Sequence, residues 1–572
     1  MARIGIFVDG LKGSIPPSFR GKLISTLQGL PEVVFSAEEE DLTSPEALQA
    51  MTGLLEKGEA ERVVIIGGSP KTYEASFYKW GYPLPLNPFL FTIANVREQA
   101  LWSMVDEEEA FEKARITVLK AIRMASFSRP IETQSLPLKP EVLIIGGGIT
   151  GISIALTLAR SAVHVFLLER GKTLGGKATE LWKFYNREEE AKKWMDQTIS
   201  EVLQTSSITL LTQSRLKRLD GHLGRFQAKI LKGDDTEMTL SPSAIVVAVG
   251  YGVERERRGI YGHKRVISLS EMEKLLEGTK SPFPLYDGKR VETVTFLLDE
   301  VNEDIKMDSI NAVKQSLLLQ GSFQCQAVIL CRDLKVSSDG MERLYRKARE
   351  RGVLFFKYED PPRFSMVNGQ IQVDVKDTAS LQKADQWPVS ILSDLVVIGE
   401  AFLPNPETAG LCSLLNLHLG SRGFFMEDNP QLLRVRSNRR GIFVAGGCRF
   451  PQEISETLIE AKAVAQEVMT LLSGSIYTYD LSVAEVDPKK CALCYTCPRL
   501  CPHSAITVEK YAEKNVYITP GISDRTKWGA AKVDPVACFG CGICVGECPA
   551  KAITLHHEPD ELIYAQMGFM EG

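Results

Sequence analysis

The chain has 572 residues, 44% of them apolar and 24% charged, the balance of a soluble globular protein long enough for several domains. A net charge of −5 gives no reason to expect nucleic acid as a partner. Of the 12 cysteines, 8 fall in the last 82 residues, and that crowding argues for metal binding against a disulfide framework. Met1–Gly10 lack the basic start and apolar core of a signal peptide. The longest uncharged run, Val142–Ala159, contains a glycine loop and reads as a buried strand and helix, with no transmembrane segment. The expected compartment is the cytoplasm.

Residues 1–135 are expected to form an N-terminal α/β domain, with strands at Arg3–Val8 and Val63–Ile66 and a long helix from Glu98 to about Ser126. Phe111, Ala114, Val118 and Ile122 share one face of that helix, the pattern of a core. The segment Gly67–Glu74 follows a strand but fits neither a Walker loop nor a Rossmann turn. Leu136–Pro140 reads as a linker stiffened by its prolines.

Residues 141–290 carry a dinucleotide signature. Val142–Ile145 is a buried strand, Gly146, Gly148 and Gly151 keep the spacing G-x-G-x-x-G, and Ile152–Arg160 is a helix. The first glycine permits the tight turn, the second lets the backbone approach a pyrophosphate, and the third lets helix and strand pack closely. The phosphates belong at the helix N-terminus, where free N–H groups favour negative charge. The next strand, Val163–Leu168, ends in Glu169, placed to accept a bond from a ribose hydroxyl. Leu174–Lys177, with Gly175 and Gly176, suits a second close backbone approach, and Ala244–Gly250 is a strand ending in glycine. The basic run Arg255–Arg258 reads as solvated surface.

Residues 291–390 read as an inserted βα domain, with strands at Val294–Leu298 and Ala327–Leu330 and a helix near Met341–Arg351. A nicotinamide-binding insert would place a glycine loop after its first strand. Here that strand leads into the acidic run Asp299–Asp304, which would repel a pyrophosphate. No NAD(P)H site is expected. Residues 391–475 return to the first pattern, with strands at Leu395–Gly399 and Gly441–Gly447 and a helix over Glu453–Leu472. A strand ending in Ala-Gly before a helix N-terminus can meet the middle of a flavin, and it can equally be an ordinary βα corner.

The tail, residues 480–572, holds the most specific pattern. Cys491, Cys494, Cys497 and Cys501-Pro502 keep the spacing C-x₂-C-x₂-C-x₃-C-P, and Cys538, Cys541, Cys544 and Cys548-Pro549 repeat it. This is the spacing of bacterial two-cluster ferredoxins, in which the fourth cysteine of each run serves the other cluster. Cys491, Cys494, Cys497 and Cys548 are assigned to one [4Fe–4S] cluster, and Cys538, Cys541, Cys544 and Cys501 to the second. A pair of zinc sites is the alternative, but zinc does not call for a third close cysteine or a Cys-Pro ending. Cys325, Cys331, Cys412 and Cys448 are scattered and read as buried free thiols; no C-x-x-C pair stands near the flavin elements, as a dithiol-exchange reductase would need.

These segments together resemble the A-subunit family of heterodisulfide reductases. The resemblance is carried by Gly68–Glu74, Ile93–Gln99, Gly146–Gly151, Gly175-Gly176, Ala248–Tyr251, Pro404–Thr408 and above all Ala445–Ile454, continuing through Thr457 and Ala461 to Ala465. It implies an α/β fold: a thioredoxin-reductase-like FAD-binding domain with an inserted βα domain, an N-terminal α/β domain and a C-terminal two-cluster ferredoxin domain. By the resemblance, Gly146, Gly148, Gly151 and Glu169 hold the FAD adenosine and pyrophosphate, Leu216 touches adenine, and Gly446, Gly447 and Ile454 lie near the ribitol and ring. Thr150, Arg170, Gly175, Gly176, Lys177, Ala248 and Gly250 complete the candidate set. The resemblance also implies an electron-transfer subunit that switches between two-electron flavin and one-electron cluster chemistry, with bifurcation as a form of that switch. Its partners would be B/C-like subunits, hydrogenase, formate or NADH dehydrogenase modules, and ferredoxin, in a hetero-oligomer. No catalytic acid, base or nucleophile is assigned.

The chain departs from the family pattern where Gly68 stands in place of a cysteine common before Ser-Pro-Lys/Arg-Thr, and where the insert, from Phe296 through Ser316, lacks a cysteine run. Two clusters are therefore expected. A self-contained NAD(P)H-linked flavoprotein and a structural subunit with a decayed flavin site are the two rival readings.

Overall fold

Apolar strand runs alternate with helical periodicities along most of the chain, and the three largest sheets they form are parallel. The computed structural model describes residues 2–74, 85–187, 190–256, 258–298, 306–378, 389–509, 529–555 and 560–567. It divides into two units: Met1–Ser135 together with Thr478–Gly572, and Leu136–Tyr477.

In the first unit a parallel sheet runs in the order Val33–Glu39, Ile4–Asp9, Arg62–Gly67, Phe91–Asn95. Ile4–Asp9 is buried along its whole length, as a central parallel strand must be. The helix expected from Glu98 is broken. Arg97–Leu101 forms a π-helical turn, and the α-helix begins only at Glu107 and runs to Phe127. The cause is Asp106, whose side chain accepts from Glu109 N–H at 2.9 Å and caps a first turn carrying Glu107, Glu108 and Glu109. The expected core face is buried, with Phe111, Ala114, Val118 and Ile122 at 7% exposure or less.

The tail of this unit has internal two-fold symmetry. Ala484–Val486 pairs with Ile553–Leu555, and Ile506–Glu509 pairs with Ala530–Val533, both antiparallel. Each ribbon leads into one cysteine run.

In the second unit a five-stranded parallel sheet has the order Ile442–Val444, Ala244–Val247, Glu141–Ile145, His164–Leu168, Ile208–Leu211. The helices Ile149–Arg160 and Ile454–Leu472 pack together beside it. A ribbon of Tyr251–Glu254 and Ala401–Pro404 leads to a second parallel sheet, ordered Val266–Ser268, Leu395–Ile398, Thr293–Leu297, Gln326–Cys331, Leu354–Lys357. The insert is therefore wider than 291–390. Val266–Ser268 and Leu395–Ile398, expected in the two parts of the flavin domain, pair with each other, and Leu395–Ile398 pairs on its other side with Thr293–Leu297 in the insert. A four-residue apolar strand buried on both faces carries no mark of which sheet it joins.

Two smaller expectations also change. Leu136–Pro140 is not a free linker, because strand Thr133–Pro137 pairs with Ile476–Asp480. Arg255 is not solvated: its guanidinium donates to Glu271 and to the carbonyls of Tyr261 and Val266, with its side chain 13% exposed. The acidic run 299–304 lies outside the described residues. Among those described, no helix is long and apolar enough to cross a membrane.

Candidate functional site

The parallel sheet of the second unit ends at a cavity of about 1030 Å³. All the candidate flavin residues line it except Gly151 and Gly446, which stand directly behind the wall. Gly151 has the steric role expected of it: a Cβ there would lie 1.9 Å from Gly146 O, so the helix Ile149–Arg160 approaches its strand only because the side chain is absent. Gly146 has φ +116°, a conformation that side chains disfavour, and a Cβ on it would strike Ala248 O at 2.3 Å. Gly148 is open, with nothing within 4 Å of its Cβ position. Gly175 N–H donates to Gly147 O at 2.8 Å, so the two glycine loops form one cradle.

Glu169 follows its strand as expected and lines the cavity. Its Oε2 accepts from Gly147 N–H at 2.8 Å and its Oε1 from Gly171 N–H at 2.6 Å. These bonds hold the carboxylate beside the glycine turn, with lone pairs left for a hydroxyl. Arg170 pairs with Glu407 at 3.4 Å, and Lys177 lies over the Tyr251 ring. Leu216, 6% exposed, is on the strand Arg215–Asp220 at the same end as Arg215 and Lys217.

At the other end, Gly447, Ile454 and Thr457 come from the second βα corner. Gly446 N–H donates to Glu460 Oε1 at 2.5 Å, and Glu460 also binds Arg449 and Gln452. Arg449 pairs in addition with Glu427. This buried ionic network holds the turn rigid. A Cβ on Gly447 would fall 2.4 Å from Tyr251 Cδ1, so that ring packs on bare backbone. Burial, reinforced by the Glu400 and Glu180 carboxylates, pushes the Tyr251 phenol up to about 12. Glu453 caps the helix Ile454–Leu472, accepting from Ser455 and Glu456 N–H at 2.7 Å each.

The insert supplies a third wall that the sequence did not disclose. Lys314, 5% exposed, donates to Glu273 Oε1 at 2.8 Å and to Lys183 O at 3.1 Å. Glu273 Oε2 accepts from Gln315 Nε2 at 2.9 Å, and Trp182 N–H donates to Oε1 at 3.1 Å. All three side chains line the cavity. Burial pulls the Lys314 ammonium below its usual range, and Glu273 opposes that pull. Lys314 and Gln315 lie on one helix and Glu273 on another, and no spacing rule connects them. Gln315 and Gln452 both line the cavity, and the Oε1 of each is buried without a hydrogen-bond partner. The glycine cradle, which a Cβ at Gly146 or Gly151 would fill, and the Glu169 carboxylate held beside it have the form a dinucleotide requires, so the residues present fit FAD.

The cysteine runs meet as their spacing requires. Cys497 has Cys491, Cys494 and Cys548 as its electrostatic neighbours, and with burial they push its thiol up to about 11. Burial, then Cys538, Cys501 and Cys541 and last Cys497, likewise push Cys544 up to about 11. Each set crosses from one run to the other. Ala505 N–H donates to Cys501 Sγ at 3.3 Å and Ala552 N–H to Cys548 Sγ at 3.3 Å, bonds of the kind that set a cluster's potential. No three His, Cys, Asp or Glu side chains converge as a single-ion cage among the described residues. A cube presents its corners farther apart than one ion does, so the crossed cysteine sets carry the assignment. The four other cysteines form no disulfide; Cys325, Cys331 and Cys448 are buried and Cys412 half-buried. Burial pushes Cys448 up to about 12, which leaves it an inert thiol.

Residues 141–207 match the FAD dependent oxidoreductase family, and residues 485–552 match the 4Fe-4S dicluster domain family. A protein of Archaeoglobus profundus described as like the A-subunit of heterodisulfide reductase is 24% identical over 651 residues, covering 89% of this chain and 92% of that protein. The iron-sulfur A-subunit of the CoB--CoM heterodisulfide reductase of Methanocaldococcus jannaschii is 26% identical over 565 residues, covering 81% and 84%. Among solved structures, the thioredoxin reductase of T. acidophilum aligns with 58% of this chain and 99% of its own at 16% identity and a TM-score of 0.39. That of Lactococcus lactis aligns with 58% and 98% at 20% identity and a TM-score of 0.40.

Proposed function

The chain belongs to the A-subunit family of heterodisulfide reductases, and on that footing we propose that it is the flavin-bearing hub of a hetero-oligomeric redox complex. It is an oxidoreductase with FAD and two [4Fe–4S] clusters as cofactors. FAD exchanges electrons in pairs and each cluster one at a time, so a chain holding both can join two-electron to one-electron carriers.

One observation carries the proposal: the glycine cradle and its cavity occur in the same chain as two crossed sets of four cysteines. The protein's part is to bind and to tune. Gly146, Gly148, Gly151 and Glu169 would take the adenosine and pyrophosphate, with Thr150, Arg170, Gly175, Gly176 and Lys177 beside them and Leu216 at the adenine. Ala248, Gly250, Gly446, Gly447 and Ile454 would shape the ribitol and ring end. Lys314 would present a buried ammonium there, its charge balanced by Glu273. Substrate chemistry would lie on partner subunits, B/C-like proteins and hydrogenase, formate or NADH dehydrogenase modules, in the cytoplasm. The same switch extends to bifurcation, in which an electron pair is divided between two acceptors.

The test is cofactor content of anaerobically purified chain, with an optical titration by dithionite and by NADH. About one FAD and about eight iron per chain, with no direct bleaching by NADH, is the expected result. Rapid bleaching by NADH would show a self-contained flavoprotein enzyme. Clusters without flavin would show a purely structural role.

A further inference from the structure

Several hydroxyls on the wall of the flavin cavity have partners within the protein. Tyr185 donates to Asp339 O at 3.0 Å, Ser214 to Thr212 O at 2.8 Å and Ser270 to Glu400 Oε2 at 2.5 Å. Tyr251 lines the same cavity, but its phenol makes no hydrogen bond to any described residue. The residue is half-buried, and its hydroxyl opens onto the space it lines.

The rest of that side chain is fixed. Its backbone pairs with Pro404 at the start of the ribbon that leads to the insert. The ring lies on Gly447, where a Cβ would come within 2.4 Å of Cδ1, and it meets the Phe402 ring edge-on with centroids 5.5 Å apart. Lys177 Nζ stands 5.9 Å from the ring centroid. A phenylalanine would fill the same space, so packing accounts for the ring and leaves the hydroxyl without a task. A ligand that expels water from the cavity removes the hydroxyl's solvent partner, and a hydroxyl left unpaired costs free energy. It is therefore matched to a group on the ligand.

Position decides which group. Glu169 and Leu216 mark the adenosine end, while Tyr251 stands against Gly447 and the second βα corner, at the ring end. The edge of an isoalloxazine presents mainly acceptors, its ring nitrogens and carbonyl oxygens. Burial, then the carboxylates of Glu400, Glu180 and Asp308, push the phenol up to about 12, so it keeps its proton at neutral pH and stays a donor.

We propose that the Tyr251 hydroxyl donates a hydrogen bond to the edge of the flavin ring and thereby favours reduction of the ring. The inference rests on the reading that FAD fills this cavity with its ring at the second βα corner. Reduction adds electron density to the acceptors on that edge, so a donor facing them is held more strongly afterwards. Tyr251 keeps its proton throughout, and no covalent bond to it forms or breaks.

The experiment uses full-length holoprotein and the variant Tyr251→Phe. A potentiometric titration at pH 7 reads the flavin couple, and resonance Raman reads the flavin carbonyl and ring bands. The variant should keep its iron and its FAD. Its equilibrium constant for two-electron reduction should fall about tenfold, a shift of about 30 mV to more negative potential. A flavin band should move in the direction of a lost hydrogen bond, which a role in packing alone would not produce. If the variant loses FAD, 3-fluorotyrosine at position 251 replaces it: the more acidic hydroxyl is the stronger donor and should shift the couple to more positive potential. A couple within twofold of the parent's equilibrium constant with unmoved flavin bands overturns the proposal, and so does a shift of either variant in the opposite direction. A parent that neither retains nor takes up FAD refutes the reading of the cavity itself.

Discussion

Replacing Lys314 by Met should test the third wall of the flavin cavity most sharply. Lys314 and Glu273 are both about 5% exposed and 2.8 Å apart. Removing one member of a buried pair leaves an uncompensated charge and costs about 3–5 kcal/mol. Glu273 keeps the donors Trp182 N–H, Lys183 N–H and Gln315 Nε2, so the lower end, about 3 kcal/mol, is expected. The double variant Lys314→Met/Glu273→Gln removes both charges and should recover about 2 kcal/mol of that loss, because a neutral amide still accepts from the backbone donors. Urea titration at pH 7, followed by release of flavin fluorescence, reads the unit that contains the cavity. The deficit of the single variant should shrink as the pH falls. An unpaired buried carboxyl has a raised pKa, so the folded state takes up the proton first and gains stability towards acid. A single variant within about 1 kcal/mol of the parent, or a double variant no better than the single, would refute the reasoning.

Three further outcomes are expected. Gly151→Ala places a Cβ 1.9 Å from backbone that cannot yield, so it should cost about 1–3 kcal/mol and release FAD, seen as lost absorbance near 450 nm. Tyr73→Phe removes a buried hydroxyl that donates to Asp9 at 2.8 Å, a loss of about 1.5–3 kcal/mol in thermal or urea unfolding of the first unit. Burial and Asp9 raise the Tyr73 phenol above 10.0, so its contribution is whole below that pH and drains as pH rises beyond it; the variant should lose that part of the alkaline decline. Cys548→Ser, although it lies in the second run, should abolish the same paramagnetic centre as Cys497→Ser, and Cys501→Ser the same one as Cys544→Ser, each leaving about four iron per chain.

The features legible beforehand are those whose chemistry fits in a short window. A turn that must clear a pyrophosphate needs glycines at fixed offsets, and Gly146, Gly148 and Gly151 show them. Thiolates that clasp one cube need C-x₂-C-x₂-C, and the runs at Cys491 and Cys538 have it. Asp106 was legible in principle as an N-cap before an acidic turn, but the helical periodicity of its surroundings hid the break.

Pairing over long separations was decided elsewhere. Leu395–Ile398 is as apolar as the flavin-sheet strands, and only the register against Thr293–Leu297 and Val266–Ser268 assigns it to the insert. Lys314 meets Glu273 across two helices, and Ala484–Val486 finds its partner strand in Ile553–Leu555, far along the chain. From its residues alone this protein specified the cradle and the cluster ligands, since backbone sterics and ligand geometry act locally. The ammonium at the cavity wall and the pairing of the distant strands came only with the tertiary structure, because burial and strand pairing choose partners by shape and area, which no short stretch of sequence records.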